Sequence, residues 1–114
     1  MESGKLKIGN HIIDVLIAKT TEEQSIGLMY RKWKPPAMAF VYSYPKSNTF
    51  WMKNTPSPLD IVFCLDKKII AFKKGEPFSL STIDINKLSD LVVELPLGTV
   101  EELSLKINDE VYLK

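Results

Sequence analysis

Short apolar runs, each closed by Gly, Pro, Asn or Asp, divide this chain from end to end, and only one stretch repeats its apolar residues at helical spacing. A chain punctuated in this way folds into strands joined by turns. Leu6 to Ile8 and His11 to Ala18 flank Gly9-Asn10, a dipeptide that tolerates the positive φ of a tight hairpin turn. In the second arm Ile13, Val15 and Ile17 alternate with Ile12, Asp14, Leu16 and Ala18, so both faces are largely apolar and burial on both sides is expected. Further strands are expected at Ala37 to Tyr42, Thr49 to Lys53, Leu59 to Leu65, Ile69 to Phe72, Leu91 to Leu95 and Glu110 to Leu113, with Pro77 to Leu80 a short additional candidate outside that count.

The helical stretch follows Thr20 and Thr21. Either threonine can cap it, Gln24 completes a capping box with Thr21, and Glu22 and Glu23 set negative charge at the positive end of the dipole. Ile26, Met29, Tyr30 and Trp33 then recur at i, i+3, i+4 and i+7, which predicts an amphipathic helix near 21–33, closed by Pro35-Pro36. Gly27 falls inside it at a cost of about 1 kcal/mol relative to alanine, and close approach of another backbone is one reason for it. Thr99-Val100-Glu101-Glu102 predicts a second, short helix near 99–104 with a threonine cap. Seven to eight strands with these helices read as a mainly β fold, a compact antiparallel β-sandwich or partly open barrel with helices plugging an end. A parallel α/β sheet would need a crossover helix between most successive strands.

At 114 residues the chain suits a single domain spanning 1–114, with one continuous core. Fifteen basic against fourteen acidic side chains give +1, so no overall field draws in nucleic acid, and the Lys67-Lys68 and Lys73-Lys74 pairs read as solvated turns and edges. No apolar run is long enough to span a membrane. The lone Cys64 forms no internal disulfide, and with a start that lacks an apolar leader this suggests a cytoplasmic compartment.

No phosphate-binding loop, glycine-rich dinucleotide turn or nucleophile elbow is present, so no cofactor is expected. His11 is the only histidine and no set of metal ligands accompanies it. Cys64 sits between Phe63 and Leu65, where a thiol packs as a small hydrophobe. Asp60 and Glu94 stand apart because each interrupts an apolar strand, and a buried charge without a partner is costly. Lys53, Arg31 and the Asn54 amide are the candidate partners. Trp51 and Lys53 share one side of their segment, Phe50 and Met52 the other, so an aromatic platform beside a cation competes with ordinary core packing. Asn54-Thr55-Pro56-Ser57-Pro58, with two prolines, is a stiff connection into Leu59.

These residues carry a resemblance. Gly27-Leu28-Met29-Tyr30-Arg31, Ala37-Met38-Ala39-Phe40, Phe50-Trp51-Met52-Lys53-Asn54-Thr55 and Pro58-Leu59-Asp60 resemble the prokaryotic family known as domain of unknown function 192. Val93-Glu94-Leu95 and Leu105-Lys106-Ile107-Asn108-Asp109 agree less sharply, and Ala37 and Asn108 stand where the family usually has glycine. The resemblance implies a compact sandwich-type β fold, no established reaction, and Arg31, Trp51, Lys53, Asn54 and Asp60 as signature positions that form a possible site. Family members often carry export signals.

The leading expectation is a non-catalytic module that binds a small polar ligand, a carbohydrate among the options, through Arg31, Trp51, Lys53, Asn54 and Asp60. The second is a hydrolase-type enzyme using Asp60 and Glu94 as an acid/base pair, which requires both carboxyl groups to open onto one cleft. The third is a structural or protein-interaction module in which Lys53 and Asp60 form an internal clamp.

Overall fold

The computed structural model describes all residues from Met1 to Lys114. Strands β1 (Glu2–Ile8) and β2 (His11–Ala18) form the hairpin around Gly9, whose φ is +56°. Helix α1 (Thr21–Ile26) follows, then β3 (Met38–Ser47), β4 (Leu59–Leu65), β5 (Lys68–Gly75), β6 (Leu88–Pro96), helix α2 (Thr99–Glu102) and β7 (Val111–Leu113). The seven strands make one sheet in the order β5-β4-β6-β3-β2-β1-β7, curled into a half-barrel. Of the two architectures expected, the partly open barrel is the one adopted. The sheet is mixed rather than wholly antiparallel: β2 and β3 pair in parallel through Leu16, Ile17 and Ala18 against Met38, Ala39 and Phe40, because α1 and the loop after it carry the chain back to the same end.

The two outer strands meet at one end. Ile69 N–H donates to the Asp109 carbonyl at 3.0 Å and Val111 N–H donates to the Lys67 carbonyl at 2.9 Å. Ile69 and Val111 therefore fall in the same buried cluster as Leu6, Ile8, Val62 and Leu95, which is the inside of the curl. Leu105, with Val100 and Leu103 around α2, plugs it, and the His11 ring sits 3.0 Å from the Leu103 carbonyl oxygen, tying hairpin to plug. Cys64 packs in this cluster, and burial, with Asp90 adding to it, pushes its thiol pKa up, as an inert buried thiol requires.

Leu59, Ile61 and Phe63 alternate with Asp60, Val62 and Cys64 along β4, and point to the opposite, outer face with Met38, Phe40 and Val92. No second sheet covers that face. Leu28, Phe50 and Met52 do, and Phe50 meets Phe40 and Phe63 edge to face at 5.2 and 5.8 Å, each pair adding about 1 kcal/mol beyond area burial.

Several local expectations are corrected. The helix expected near 21–33 starts where predicted but ends at Ile26. Its capping box pairs Thr20 with Glu23 rather than Thr21 with Gln24. Gly27 is its C-cap at φ +51°, and Tyr30 N–H donates at 2.7 Å to the Asn54 carbonyl instead of back along a helix. The proposed apolar stripe is consequently not a buried face: Trp33 is 92% exposed and Leu28 is the anchor. Thr49 to Lys53 is not a strand. Only Phe50 bridges to Ile83, although the alternation survives, with Phe50 and Met52 inward and Trp51 and Lys53 outward. Pro77 to Leu80 is a turn, and β3 and β6 extend into segments expected to be loops. Helix α2 has Gly98, not a threonine, at its N-cap.

Candidate functional site

The two carboxylates set into apolar strands have opposite fates, because they lie on opposite faces of the sheet. Asp60 pairs across to Leu95 and Glu94 to Ile61, so Asp60 faces the inside of the curl and Glu94 the outer side. They share no cleft, and the acid/base pairing has no geometry to work with.

Asp60, 4% exposed, has neither Lys53 nor Arg31 as a partner. Its Oδ2 accepts hydrogen bonds from the backbone N–H groups of Gly98 at 2.9 Å and Val100 at 3.0 Å. These are the orphan donors that open α2, which no side chain of its own caps. A strand carboxylate thus supplies the cap that Gly98 cannot, and its charge is stabilised by two charge-assisted bonds. A cavity of about 850 Å³ lies beside it, bordered by Phe72, Leu105 and the exposed Lys73, Lys74 and Lys106. The carboxylate it contains is already engaged.

Glu94 is equally buried, at 4% exposed, yet no protein group donates a hydrogen bond to it. The expectation that a neighbour neutralises it fails. Its carboxyl borders a separate cavity of about 300 Å³ between the sheet, α1 and the 46–55 segment. Desolvation raises its pKa to about 8, so at neutral pH the group holds its proton. Tyr42 lies on the same wall, and burial first, then the Glu94 charge, push its hydroxyl pKa up, so it stays a neutral donor.

Of the signature positions, Trp51 is the one that lines this cavity. It is 46% exposed, and the Lys53 ammonium stands 5.2 Å from its ring centre, the cation and aromatic platform that their shared side suggested. Asn54, at φ +56°, faces elsewhere: its amide donates to the Tyr30 hydroxyl at 3.0 Å. The Ser57 hydroxyl bonds the Arg31 and Trp33 carbonyls at 3.2 and 3.1 Å, so the stiff 54–58 connection brackets the loop after α1, while the Arg31 side chain is solvent-exposed. The sequence reading brought Arg31, Asn54 and Asp60 to one pocket with Trp51, and the structure does not.

Gln24, Tyr42 and Asn48 border the cavity and were missed. Gly27 gave a signal that was misread: the requirement is its positive φ together with side-chain proximity. A Cβ there would sit 3.3 Å from Phe40 Cζ and 3.6 Å from Glu94 Oε1. Gly27→Ala is expected to destabilise the protein by about 2 kcal/mol, measured as a lowered urea midpoint, with a midpoint equal to the parent's contradicting this account.

The fold is shared. The chain superposes on a protein from Sinorhizobium meliloti proposed to be a transcription regulator, with a TM-score of 0.90 and 29% identity over 98% of this chain and 94% of that one. A protein of unknown function from Novosphingobium aromaticivorans gives 0.87 and 28%, covering 95% and 83%. The family model DUF192, described as an uncharacterised ACR, matches residues 4–113. No curated protein matches the sequence.

Proposed function

The chain belongs to the DUF192 family, whose description assigns no reaction, and we propose that it is a non-catalytic binding module whose small polar ligand occupies the cavity over Glu94. One observation carries this reading: a carboxyl group buried to 4% exposure, without a hydrogen-bond donor from the protein, at the wall of an open cavity. No side-chain nitrogen or oxygen of the protein is both sealed from solvent and without a partner, so the unpartnered Glu94 oxygens open onto the cavity, where a ligand donor can reach them. The volume of about 300 Å³ suits a small molecule. Trp51 lines it, with the Lys53 ammonium 5.2 Å from the Trp51 ring centre.

Asp60 belongs to a different role in this proposal. Its satisfied bonds to Gly98 and Val100 favour the internal clamp, with the partner changed from Lys53 to the α2 backbone. A net charge of +1 supplies no overall positive field for DNA, so the regulatory role proposed for the Sinorhizobium meliloti protein gives no support to DNA binding by this chain.

A thermal-shift panel of sugars, polyols, amines and nucleosides tests the site. At least one compound is expected to raise the melting temperature of the parent protein, with that gain lost in Trp51→Ala. A panel without any stabilising compound, or shifts of equal size in both proteins, would overturn the assignment.

A further inference from the structure

We infer that the protein has a second binding surface, independent of the Glu94 cavity, which docks onto an anionic lipid bilayer through the 30–34 loop, with Phe78 and Leu97 beside it. The stiff 54–58 connection builds this surface. Its Asn54 carbonyl accepts from the Tyr30 N–H at 2.7 Å, its Thr55 carbonyl from the Phe78 N–H at 3.0 Å and its Pro58 carbonyl from the Leu97 N–H at 3.1 Å. The Ser57 hydroxyl adds its bonds to the Arg31 and Trp33 carbonyls. One segment thus holds three loops side by side, and each presents a large apolar side chain to solvent: Tyr30 and Trp33 on the first, Phe78 on the second, Leu97 on the third. Trp33, Pro58 and Leu97 border one depression between the first loop and the third.

Neither packing nor backbone preference accounts for aromatic residues at these positions. Trp33 is 92% exposed, and Tyr30 and Phe78 are exposed as well. All three are left-handed, with φ of +64° at Tyr30, +69° at Trp33 and +62° at Phe78, a region that glycine or asparagine occupies with less strain. Tyr30 gains the Asn54 amide on its hydroxyl, whereas the Trp33 ring N–H has no partner in the chain. Rings that bury little against the chain and strain its backbone have their use outside it.

The charge of the first loop selects the partner. Arg31, Lys32 and Lys34 are exposed, and none of the ion pairs in the structure includes them. Lys53, beside the connection, adds a fourth cation, while the adjoining loops contribute Glu76 and Glu102. At a bilayer, Trp and Tyr rings settle at the level of the headgroups and Lys and Arg meet the anionic lipids, and an aliphatic Leu97 enters the same layer. Single-stranded nucleic acid is the rival for a basic, aromatic surface, but it needs a cationic track with rings on which successive bases stack. Leu97 offers no ring, and Glu76 and Glu102 interrupt the track. A lipid surface requires only that the protrusions stand together, as the 54–58 connection arranges.

Co-sedimentation with vesicles of phosphatidylcholine, alone or mixed equally with phosphatidylglycerol, tests this. The parent protein is expected to sediment with the mixed vesicles, and at least about tenfold more weakly with phosphatidylcholine alone or at high salt. Trp33→Gly is expected to weaken binding by about tenfold, and the triple variant Arg31→Gln, Lys32→Gln, Lys34→Gln by about a hundredfold. Glycine accepts φ +69°, so the urea midpoint of Trp33→Gly is expected to equal or exceed the parent's. The triple variant changes exposed side chains alone, which keeps the charge test separate from the backbone at Trp33. No sedimentation with the mixed vesicles, equal binding to both vesicle types, or equal binding of parent and Trp33→Gly would each overturn the inference. Binding lost only together with a lowered midpoint in both variants would assign the loop to folding and overturn it as well. So would tight binding of an oligothymidylate with the vesicles inert. Trp33 does not line the Glu94 cavity, so failure here leaves that site standing.

Discussion

Glu94→Gln is expected to make the protein more stable at pH 9 by about 5 kcal/mol while changing little at pH 4. The native carboxyl has its pKa raised by desolvation from 4.5 to about 8, so across that window the folded state binds more protons than the unfolded one. A carboxyl shifted in this direction contributes most below 4.5, loses stability at up to about 1.4 kcal/mol per pH unit as the pH rises, and levels off beyond 8. The amide has no charge to desolvate and occupies nearly the same volume. Urea unfolding of both proteins at matched pH values from 4 to 9 isolates this contribution, because every other titrating group is common to the pair. Parallel stability curves would show that Glu94 ionises freely in the folded protein, and the cavity would lose the feature that makes it a candidate site.

Asp60→Ala carries the second large effect, of opposite sign and on the other face of the sheet. Removing Oδ2 leaves the N–H groups of Gly98 and Val100 without their acceptor at the start of α2. A lost acceptor costs about 1–3 kcal/mol for each buried donor, and water entering from the adjacent cavity relieves part of this, so a loss of about 3 kcal/mol is expected. Asp60→Asn is expected to cost about 1 kcal/mol, since both bonds go to one oxygen and an amide oxygen in its place keeps them without the charge assistance. Neither variant should alter affinity at the Glu94 cavity, which lies across the sheet. Denaturation midpoints and the amide exchange rates of Gly98 and Val100 read the clamp directly. An Asp60→Ala protein as stable as the parent, with those two amides still protected, would remove Asp60 from the helix cap.

The pair illustrates how much of the site a sequence can carry. Placing Asp60 and Glu94 in apolar strands was enough to mark both as unusual, because the cost of burying charge is independent of fold. Assigning their partners was not possible by the same route. The Asp60 partners are backbone N–H groups nearly forty positions later in the chain, of Gly98 and Val100, and any residue type would provide them. The absence of a partner for Glu94 is a property of the cavity, which Gln24, Tyr42, Asn48 and Trp51 create from separate segments. None of these has a local pattern that distinguishes cavity lining from core.

The helix near Thr20 shows the same boundary within one element. Its start was legible because capping is local chemistry confined to a few adjacent residues, even though the box proved to be Thr20 with Glu23. Its end was not. The spacing of Ile26, Met29, Tyr30 and Trp33 is a true helical period, but Gly27 turns the chain, Leu28 enters the outer core, and the Tyr30 N–H bonds the Asn54 carbonyl.

Alternation of apolar residues and turn chemistry, both short-range, determined on their own that this chain would be a mainly β structure with Asp60 and Cys64 on one side of β4. Only the tertiary structure decided that the sheet curls until its edges touch, that β2 and β3 run in parallel, and that the two carboxylates part to opposite faces. Those outcomes depend on which strands become neighbours, and neighbour choice is set by packing between residues far apart in the chain, whose energies no local window contains.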